Sequence, residues 1–234
     1  MTLFDSFRGI DQFSNISKDV SNYLSTVYFQ LATTIIFWVG GFSSYPYIHQ
    51  SIPTNKLIQL FIVSSLMIPI IIYRYQERYW KNILLYIFGF CKGLFIGDLI
   101  SITNIIDPNI VKISLSVAIV VFSTMSLIAL QVKNRFSLYF GSVLFSCLNC
   151  LVLFHLIQWV FNIFPVEFVL NIDIYLGIIL FSLYICYDTQ KIIYDASRNY
   201  KDSVFHTLEL FLDFVNVFIR ILLHLIRKKK NKDE

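Results

Sequence analysis

The sequence predicts an all-α fold: a polytopic membrane helix bundle of six spans with a seventh helical segment that is buried or re-entrant. Hydrophobic residues make up 56% of the 234 residues and charged residues only 15%, whereas about a quarter of a soluble domain is charged. The charges crowd into short gaps between long apolar stretches. Each stretch is close to the roughly 20 residues that cross a hydrocarbon core, so we expect one compact membrane domain.

Seven hydrophobic segments follow one another along the chain. The predicted spans are 23–42, 57–73, 83–103, 111–130, 137–161 and 172–190, and the seventh segment is 205–226. Residues 1–22 form a polar segment, 23–226 the membrane domain, and 227–234 a basic tail. The polar segment lacks the charged start and apolar core of a cleaved signal, so we expect the first span to act as an uncleaved anchor.

Basic residues set the predicted orientation. The connectors after the second, fourth and sixth spans hold most of them, including Arg74, Lys133 and Lys201. Because cytosolic connectors carry an excess of Lys and Arg, these connectors and the N-terminus are predicted to be cytosolic. Seven full crossings would then put the very basic tail on the opposite side. A buried, re-entrant seventh segment removes this conflict and leaves the C-terminus cytosolic; seven crossings are the alternative.

Proline and glycine indicate local helix shape. Pro69 lies inside the second span, where we expect a kink, whereas Pro46 is predicted near a loop. In the third span, a ridge of glycines spaced by four residues, Gly89, Gly93 and Gly97, predicts close helix packing.

The seventh segment carries six polar side chains at a spacing of three or four residues, which puts them on one helix face. They are His206, Glu209, Asp213, Asn216, Arg220 and His224. An ionisable residue inside a span costs on the order of 2.5–3.5 kcal/mol and indicates a functional site. A helix lying on the membrane surface is the alternative, but such helices have a broad polar face. We therefore predict an inserted helix whose polar seam lines a polar interior.

Further acids lie within the other spans. Asp188 lies near the cytosolic end of the sixth span, at a depth that Asp213 reaches on an antiparallel seventh segment, so the two can meet. Glu209, one turn from Asp213, repels it when both are charged. In the third span, Asp98 is expected to face the polar interior, and Lys92 to pair with an acid or occupy a hydrated pocket.

The sequence Y-D-T-Q at 187–190 and the sequence L-F-L-D-F at 210–214 closely resemble the Bax inhibitor family. Weaker similarity covers most of the chain after about Ile83. The resemblance implies an endoplasmic-reticulum or Golgi membrane protein that suppresses cell death and leaks calcium. In some members the leak is pH-sensitive through two aspartates, which match Asp188 and Asp213. Bacterial members set an Arg of the second span against the first aspartate, whereas here Arg74 stands at the end of that span.

The resemblance implies roles for the polar residues. Asp188, Asp213 and Glu209 form the ion pathway and pH sensor, and Asp188 and Asp213 are weak Ca²⁺ ligands. The pore-lining candidates are His206, Asn216, Arg220, His224 and Asp98. The partners are the lipid bilayer, Ca²⁺ as the permeant ion and Bcl-2-type apoptosis regulators, with no cofactor. Lys230 and Lys232 resemble the dilysine retrieval signal of endoplasmic-reticulum proteins, which works on a cytosolic tail.

The sequence is also compatible with one other class of function, and it does not predict two more. The main alternative is a non-conducting membrane protein that regulates apoptosis and endoplasmic-reticulum stress through its partners, with its buried acids paired to Arg220 or Lys92. An enzyme is not predicted, because His155, His206 and His224 form no metal motif. Nucleic-acid binding is not predicted either, because the basic residues sit at span ends. Asp173, near the start of the sixth span, is expected at the membrane interface.

Overall fold

The computed structural model describes residues 17–49, 78–131 and 138–233, and these residues form six α-helices. They are α1 (Lys18–His49), α2 (Arg78–Ile106), α3 (Pro108–Gln131), α4 (Leu138–Phe161), α5 (Val166–Ser197) and α6 (Ser203–Asp233). The first five are long and apolar enough to cross a membrane. The predicted all-α multi-pass architecture is therefore confirmed. The predicted second span, 57–73, lies outside the described residues together with Pro69 and Arg74.

The helices extend beyond the predicted spans, and α1 shows why. Its last turn contains Pro46, so this residue, predicted near a loop, lies inside the helix three residues before its last described residue. A proline removes one backbone hydrogen bond and crowds the carbonyl four residues earlier. Near the end of a 32-residue helix this disturbs only the final turn, and α1 continues to His49.

The seventh segment is one continuous helix, α6. No side chain from Ser203 to Arg227 is exposed, which excludes a helix lying on the membrane surface. Its 31 residues span about 46 Å at 1.5 Å per residue. Of the two predicted forms, buried or re-entrant, the structure has the buried one, with no reversal of direction. The basic tail predicted at 227–234 is helical as far as Asp233 and forms the end of α6.

A short connector joins α5 to α6. The N–H of Tyr200 donates to the carbonyl oxygen of Asp195 at 3.0 Å, and Asn199 has a φ of 63°; together they form a Schellman motif that ends α5. A carboxyl oxygen of Asp202 then accepts the N–H of Phe205 at 3.2 Å, which caps the start of α6.

The helices group into two compact units. The N-terminal unit comprises residues 23–112 and 202–211, and the C-terminal unit comprises 1–22, 113–201 and 212–234. The first turns of α6 therefore belong to the N-terminal unit and the rest of α6 to the C-terminal unit.

In the N-terminal unit, the predicted glycine ridge packs against α1. A Cβ atom added to Gly93 would fall on the carbonyl oxygen of Trp38, and one added to Gly41 would fall on that of Phe90. The Cα atoms of the two glycines thus face each other with no room for a side chain between them. The prediction that this ridge serves close helix packing is confirmed.

The start of α6 packs against the same two helices through aromatic rings. Trp38, Phe88 and Phe211 are fully buried. The ring of Phe211 meets the ring of Phe88 edge-on, with centroids 6.1 Å apart, and that of Trp38 with centroids 6.5 Å apart. Such edge-to-face pairs add to the free energy gained by burying the rings.

In the C-terminal unit, α5 and α6 each contact neighbouring helices. The Phe122 ring on α3 meets the Phe214 ring on α6 edge-on. The Gln190 amide on α5 donates to the carbonyl oxygen of Ala129 on α3 at 3.3 Å. On α4, a Cβ atom added to Gly141 would fall on the Tyr187 side chain of α5. These contacts fix the helices that carry the candidate site.

We predict that Gly93→Ala and Gly41→Ala each destabilise the protein by about 1–3 kcal/mol, because the added methyl group meets a backbone carbonyl that cannot move aside. Thermal unfolding in detergent measures the change. Gly40→Ala is the matched control, since nothing lies within 4 Å of a Cβ atom there and alanine favours a helix by up to ~1 kcal/mol. Equal effects at positions 40 and 41 would contradict this account of the packing.

Candidate functional site

The structure brings Asp188 of α5 and Asp213 of α6 together. Asp188 lies nine residues before the end of α5 at Ser197, and Asp213 lies ten residues after the start of α6 at Ser203. The short α5–α6 connector therefore leaves the two carboxyl groups at matching distances along antiparallel helices. Both belong to the C-terminal unit, and their carboxyl groups lie within hydrogen-bonding reach of each other.

A hydrogen bond between two carboxyl groups requires a proton on one of them, because two ionised carboxylates are both acceptors. The pair is also dehydrated: Asp188 is 7% exposed and Asp213 is 6% exposed. Two negative charges this close in a buried place would repel each other strongly. The geometry is therefore one in which two acids can share one proton.

The surroundings of the pair are mostly apolar. Ile185 and Ile192 lie one turn away on either side of Asp188 and are almost fully buried. Two polar groups are nearby. The Tyr184 hydroxyl interacts electrostatically with both carboxyl groups, and the Lys191 ammonium interacts with Asp188. An apolar wall with few polar groups strengthens each electrostatic interaction within it.

The pair offers little to hold a metal ion tightly. Within 17–48, 79–131 and 140–232, no group of three or more His, Cys, Asp or Glu side chains is placed to bind one. Tight Ca²⁺ sites use six to eight oxygen ligands.

The part of the predicted seam nearest the start of α6 lies in the N-terminal unit. His206 is fully buried, and its ring nitrogen Nδ1 lies 2.8 Å from the Tyr23 hydroxyl. The hydroxyl of Thr207, which the sequence analysis did not single out, donates to the carbonyl oxygen of Ser203 at 2.7 Å and lies 3.3 Å from the side-chain oxygen of Gln30. Glu209 is half-buried, and its oxygen Oε2 is shielded from solvent. In this unit the seam serves helix contacts.

Two charged residues of α2 have different surroundings. Asp98 is exposed and accepts a hydrogen bond from the Tyr45 hydroxyl at 3.3 Å, so the prediction that it faces a polar interior was wrong. The physical reason is its position on α2, whose buried side is occupied by the glycine ridge and by residues such as Phe88. The ammonium group of Lys92 lies 5.2 Å from the centroid of the Phe88 ring on its own helix.

Asp173, which was expected at the membrane interface, forms an ion pair with α6. Its carboxyl oxygen Oδ1 accepts a hydrogen bond from Nη2 of Arg220 at 3.1 Å. The Arg220 side chain is only 10% exposed and that of Asp173 is 20% exposed. The Nε2 atom of His155 on α4 lies 3.6 Å from the same oxygen. The sequence feature that could have indicated this contact is Gly177, one turn after Asp173, because it leaves room for the Arg220 side chain.

The last predicted seam residues also contact α5. Asn216 accepts from Nη1 of Arg220 at 3.1 Å, and the ring of His224 meets that of Tyr175 edge-on. Beyond the predicted seam, Arg227 donates to Asn171 at 2.6 Å. From Asp213 onward, the polar face of α6 thus follows α5.

The fold and site define a multi-pass helical membrane protein with a buried pair of acids inside one of its units. The family described as inhibitor of apoptosis-promoting Bax1 matches residues 20–231. The chain belongs to this Bax inhibitor family, a family of membrane proteins that suppress cell death.

Curated relatives support the assignment along the whole chain. Bax inhibitor 1 of Drosophila melanogaster is 32% identical over 174 residues, which are 73% of this chain and 70% of the relative. Bax inhibitor 1 of Arabidopsis thaliana is 28% identical over 228 residues, covering 97% and 90%. Bax inhibitor 1 of Homo sapiens is 25% identical over 242 aligned residues, covering 99% and 98%.

We predict that Asp188→Asn leaves the stability within about 1 kcal/mol of the natural protein, because a neutral amide still hydrogen bonds to Asp213. Asp188→Ala removes the partner of a buried carboxyl group and should cost about 1–3 kcal/mol. Thermal unfolding in detergent measures both. Asp19→Ala is the control, since its side chain is 74% exposed in its ion pair with Lys201 and such pairs contribute little. Equal losses for all three variants would show that the pair makes no special contribution.

Proposed function

We propose that this protein is an endoplasmic-reticulum membrane protein that suppresses cell death by leaking calcium from the store, and that the Asp188–Asp213 pair makes the leak pH-sensitive. The observation that carries the proposal is the close approach of two buried carboxyl groups. Such a contact depends on one proton, so its strength depends on pH.

The shared proton links pH to helix contact. With the proton in place, the hydrogen bond holds α5 against α6. Without it, two carboxylates face each other in a dehydrated place and repel each other. The contact between the two helices therefore has two states that differ by a single proton, which is the property a pH-sensitive gate needs.

Calcium can take the place of that proton. Ca²⁺ prefers oxygen ligands, and carboxylates attract it into a poorly hydrated region. Conduction requires an ion site that binds strongly enough to admit the ion and weakly enough to release it. A site of two carboxyl groups meets this requirement, and we propose Asp188 and Asp213 as weak, transient ligands. Glu209 is the further acid of the proposed pathway along α6.

A second candidate function is a non-conducting membrane protein that acts through partners such as Bcl-2-type apoptosis regulators. The observation that favours it is the ion pair between Arg220 and Asp173. Because this buried charge has a structural partner, its presence does not by itself require that the protein conducts ions. In this case deletion of residues 227–234 would abolish protection from cell death, and the purified protein would carry no calcium flux.

We predict that the purified protein in liposomes carries a calcium flux that varies with pH, and that Asp188→Asn and Asp213→Asn remove most of this pH dependence. Either variant leaves a single ionisable carboxyl group in place of a proton-sharing pair. Fluorescence of a trapped calcium indicator, recorded across a series of pH values, measures the flux. Glu167→Gln is the control, since it makes the same acid-to-amide change at an exposed position of α5. Variants that conduct and respond to pH like the natural protein would rule the proposal out.

Residence in the endoplasmic reticulum, with the N-terminus and the basic end of α6 in the cytosol, is also part of the proposal. Lys230 and Lys232 are exposed on the last turns of α6, where a retrieval receptor could contact them. α6 does not reverse its direction. The side of the membrane on which it ends therefore depends on how many segments cross the membrane before it.

We expect that the double variant Lys230→Ala/Lys232→Ala moves a fluorescently tagged protein from the endoplasmic reticulum to later secretory compartments, because it removes the retrieval signal. Fluorescence microscopy with compartment markers reports the change. Lys228→Ala/Lys229→Ala is the matched control, with the same loss of charge on the same helix. A tail that becomes glycosylated when given an acceptor site would place it in the lumen and refute the cytosolic orientation.

A further inference from the structure

Beyond Asp213, the polar face of α6 carries a buried guanidinium. Arg220 lies seven residues further along α6, about 10 Å at 1.5 Å per residue, and belongs to the same unit as the Asp188–Asp213 pair. Asn216 stands between them on the same face. An ion that left the acid pair along this face toward the end of α6 would therefore pass a positive charge.

The position of Arg220 is built by α5. A Cβ atom added to Gly177 would fall on the Arg220 side chain, so the glycine opens the notch in which the guanidinium lies. The Phe181 ring covers it, with Cζ 4.6 Å from the ring centroid. Nε donates to the carbonyl oxygen of Asp173 at 3.1 Å, and Nη1 donates to Asn216. The guanidinium is therefore held by the notch, by the aromatic ring and by hydrogen bonds to both helices.

Asp173 determines how much of this positive charge acts on a passing ion. Its carboxyl group lies 3.1 Å from Nη2 of Arg220 and balances the guanidinium charge. The other ionisable group close to Asp173 is His155 of α4, at 3.6 Å. Removing either partner of the ion pair leaves one uncompensated charge in a place of low polarity, and the two removals leave charges of opposite sign.

We propose that the Arg220–Asp173 pair is a charge-selecting element of the ion pathway, in which Arg220 opposes cations and Asp173 limits that opposition. This inference rests on the proposed calcium leak. In this scheme the Arg220–Asp173 pair sets the cation-to-anion permeability ratio, and Asp188 and Asp213 set the pH response.

The proposal requires opposite effects from two substitutions. Arg220→Gln removes the barrier and leaves the Asp173 carboxylate, so calcium flux should rise about threefold to tenfold and the cation-to-anion permeability ratio should increase. Asp173→Asn leaves the arginine uncompensated, so both quantities should fall by a similar factor. The double variant Asp173→Asn/Arg220→Gln removes both charges and should return both quantities close to those of the natural protein.

The measurement is calcium flux into liposomes together with the reversal potential in a gradient of calcium chloride across a planar bilayer. Arg227→Gln is the matched control, because it removes the same charge from the same helix where the side chain bonds to Asn171 near the exposed end. Arg220→Lys keeps the charge but not the planar group, and should keep the selectivity. If Arg220→Gln does not fold, Asp173→Asn and Arg220→Lys carry the test.

The outcomes separate this inference from the function on which it rests. If the natural protein conducts with a pH response that Asp188→Asn removes, but Arg220→Gln and Asp173→Asn shift the permeability ratio in the same direction or not at all, the inference is wrong and the leak stands. A purely structural ion pair would give that result, with both single variants less stable and equally selective. A natural protein that carries no calcium at all overturns both.

Discussion

The structure depends on one constraint: α6 carries charged side chains along its length, yet none of its side chains from Ser203 to Arg227 is exposed. Unpaired charges in such a place would cost several kcal/mol each. The remaining helices must therefore supply hydrogen bonds and opposite charges toward α6 while presenting apolar surfaces to lipid. This requirement explains the polar residues of α5 in particular. Asp188 and Asp173 of this helix face ionisable groups of α6.

Small residues make these polar contacts geometrically feasible. Lipid is as apolar as the side chains it meets, so helices in a membrane associate through close packing and hydrogen bonds more than through the hydrophobic effect. Gly41 and Gly93 let the backbones of α1 and α2 touch, which leaves the aromatic rings of the N-terminal unit room to surround the start of α6. Gly177 does the same for a side chain, since it opens α5 for the guanidinium of Arg220.

The parts of this arrangement that follow from spacing along one helix could be predicted from the sequence. The polar seam of α6 has a helical period, and Asp188 and Asp213 lie at equal distances from a short connector. The partner of Asp173 was not predicted, because it depends on which faces of α4, α5 and α6 meet, and periodicity within one helix does not contain that information. The re-entrant form was inferred from the distribution of basic residues between the two sides of the membrane. That distribution reflects how the chain is inserted, and it does not indicate whether a helix is broken.

The two polar contacts between α5 and α6 differ in how they respond to their surroundings. The Asp188–Asp213 contact needs a proton, so it changes from attraction to repulsion when that proton leaves. The Arg220–Asp173 contact joins opposite charges, and arginine keeps its charge in proteins, so proton loss does not break it. If the first contact opens while the second holds, α5 and α6 separate on one side only and Arg220 acts as the pivot. For the calcium leak proposed above, a pathway opened in this way would begin at the acid pair and end at the guanidinium, so that one helix face would combine a proton-dependent gate with a fixed charge filter.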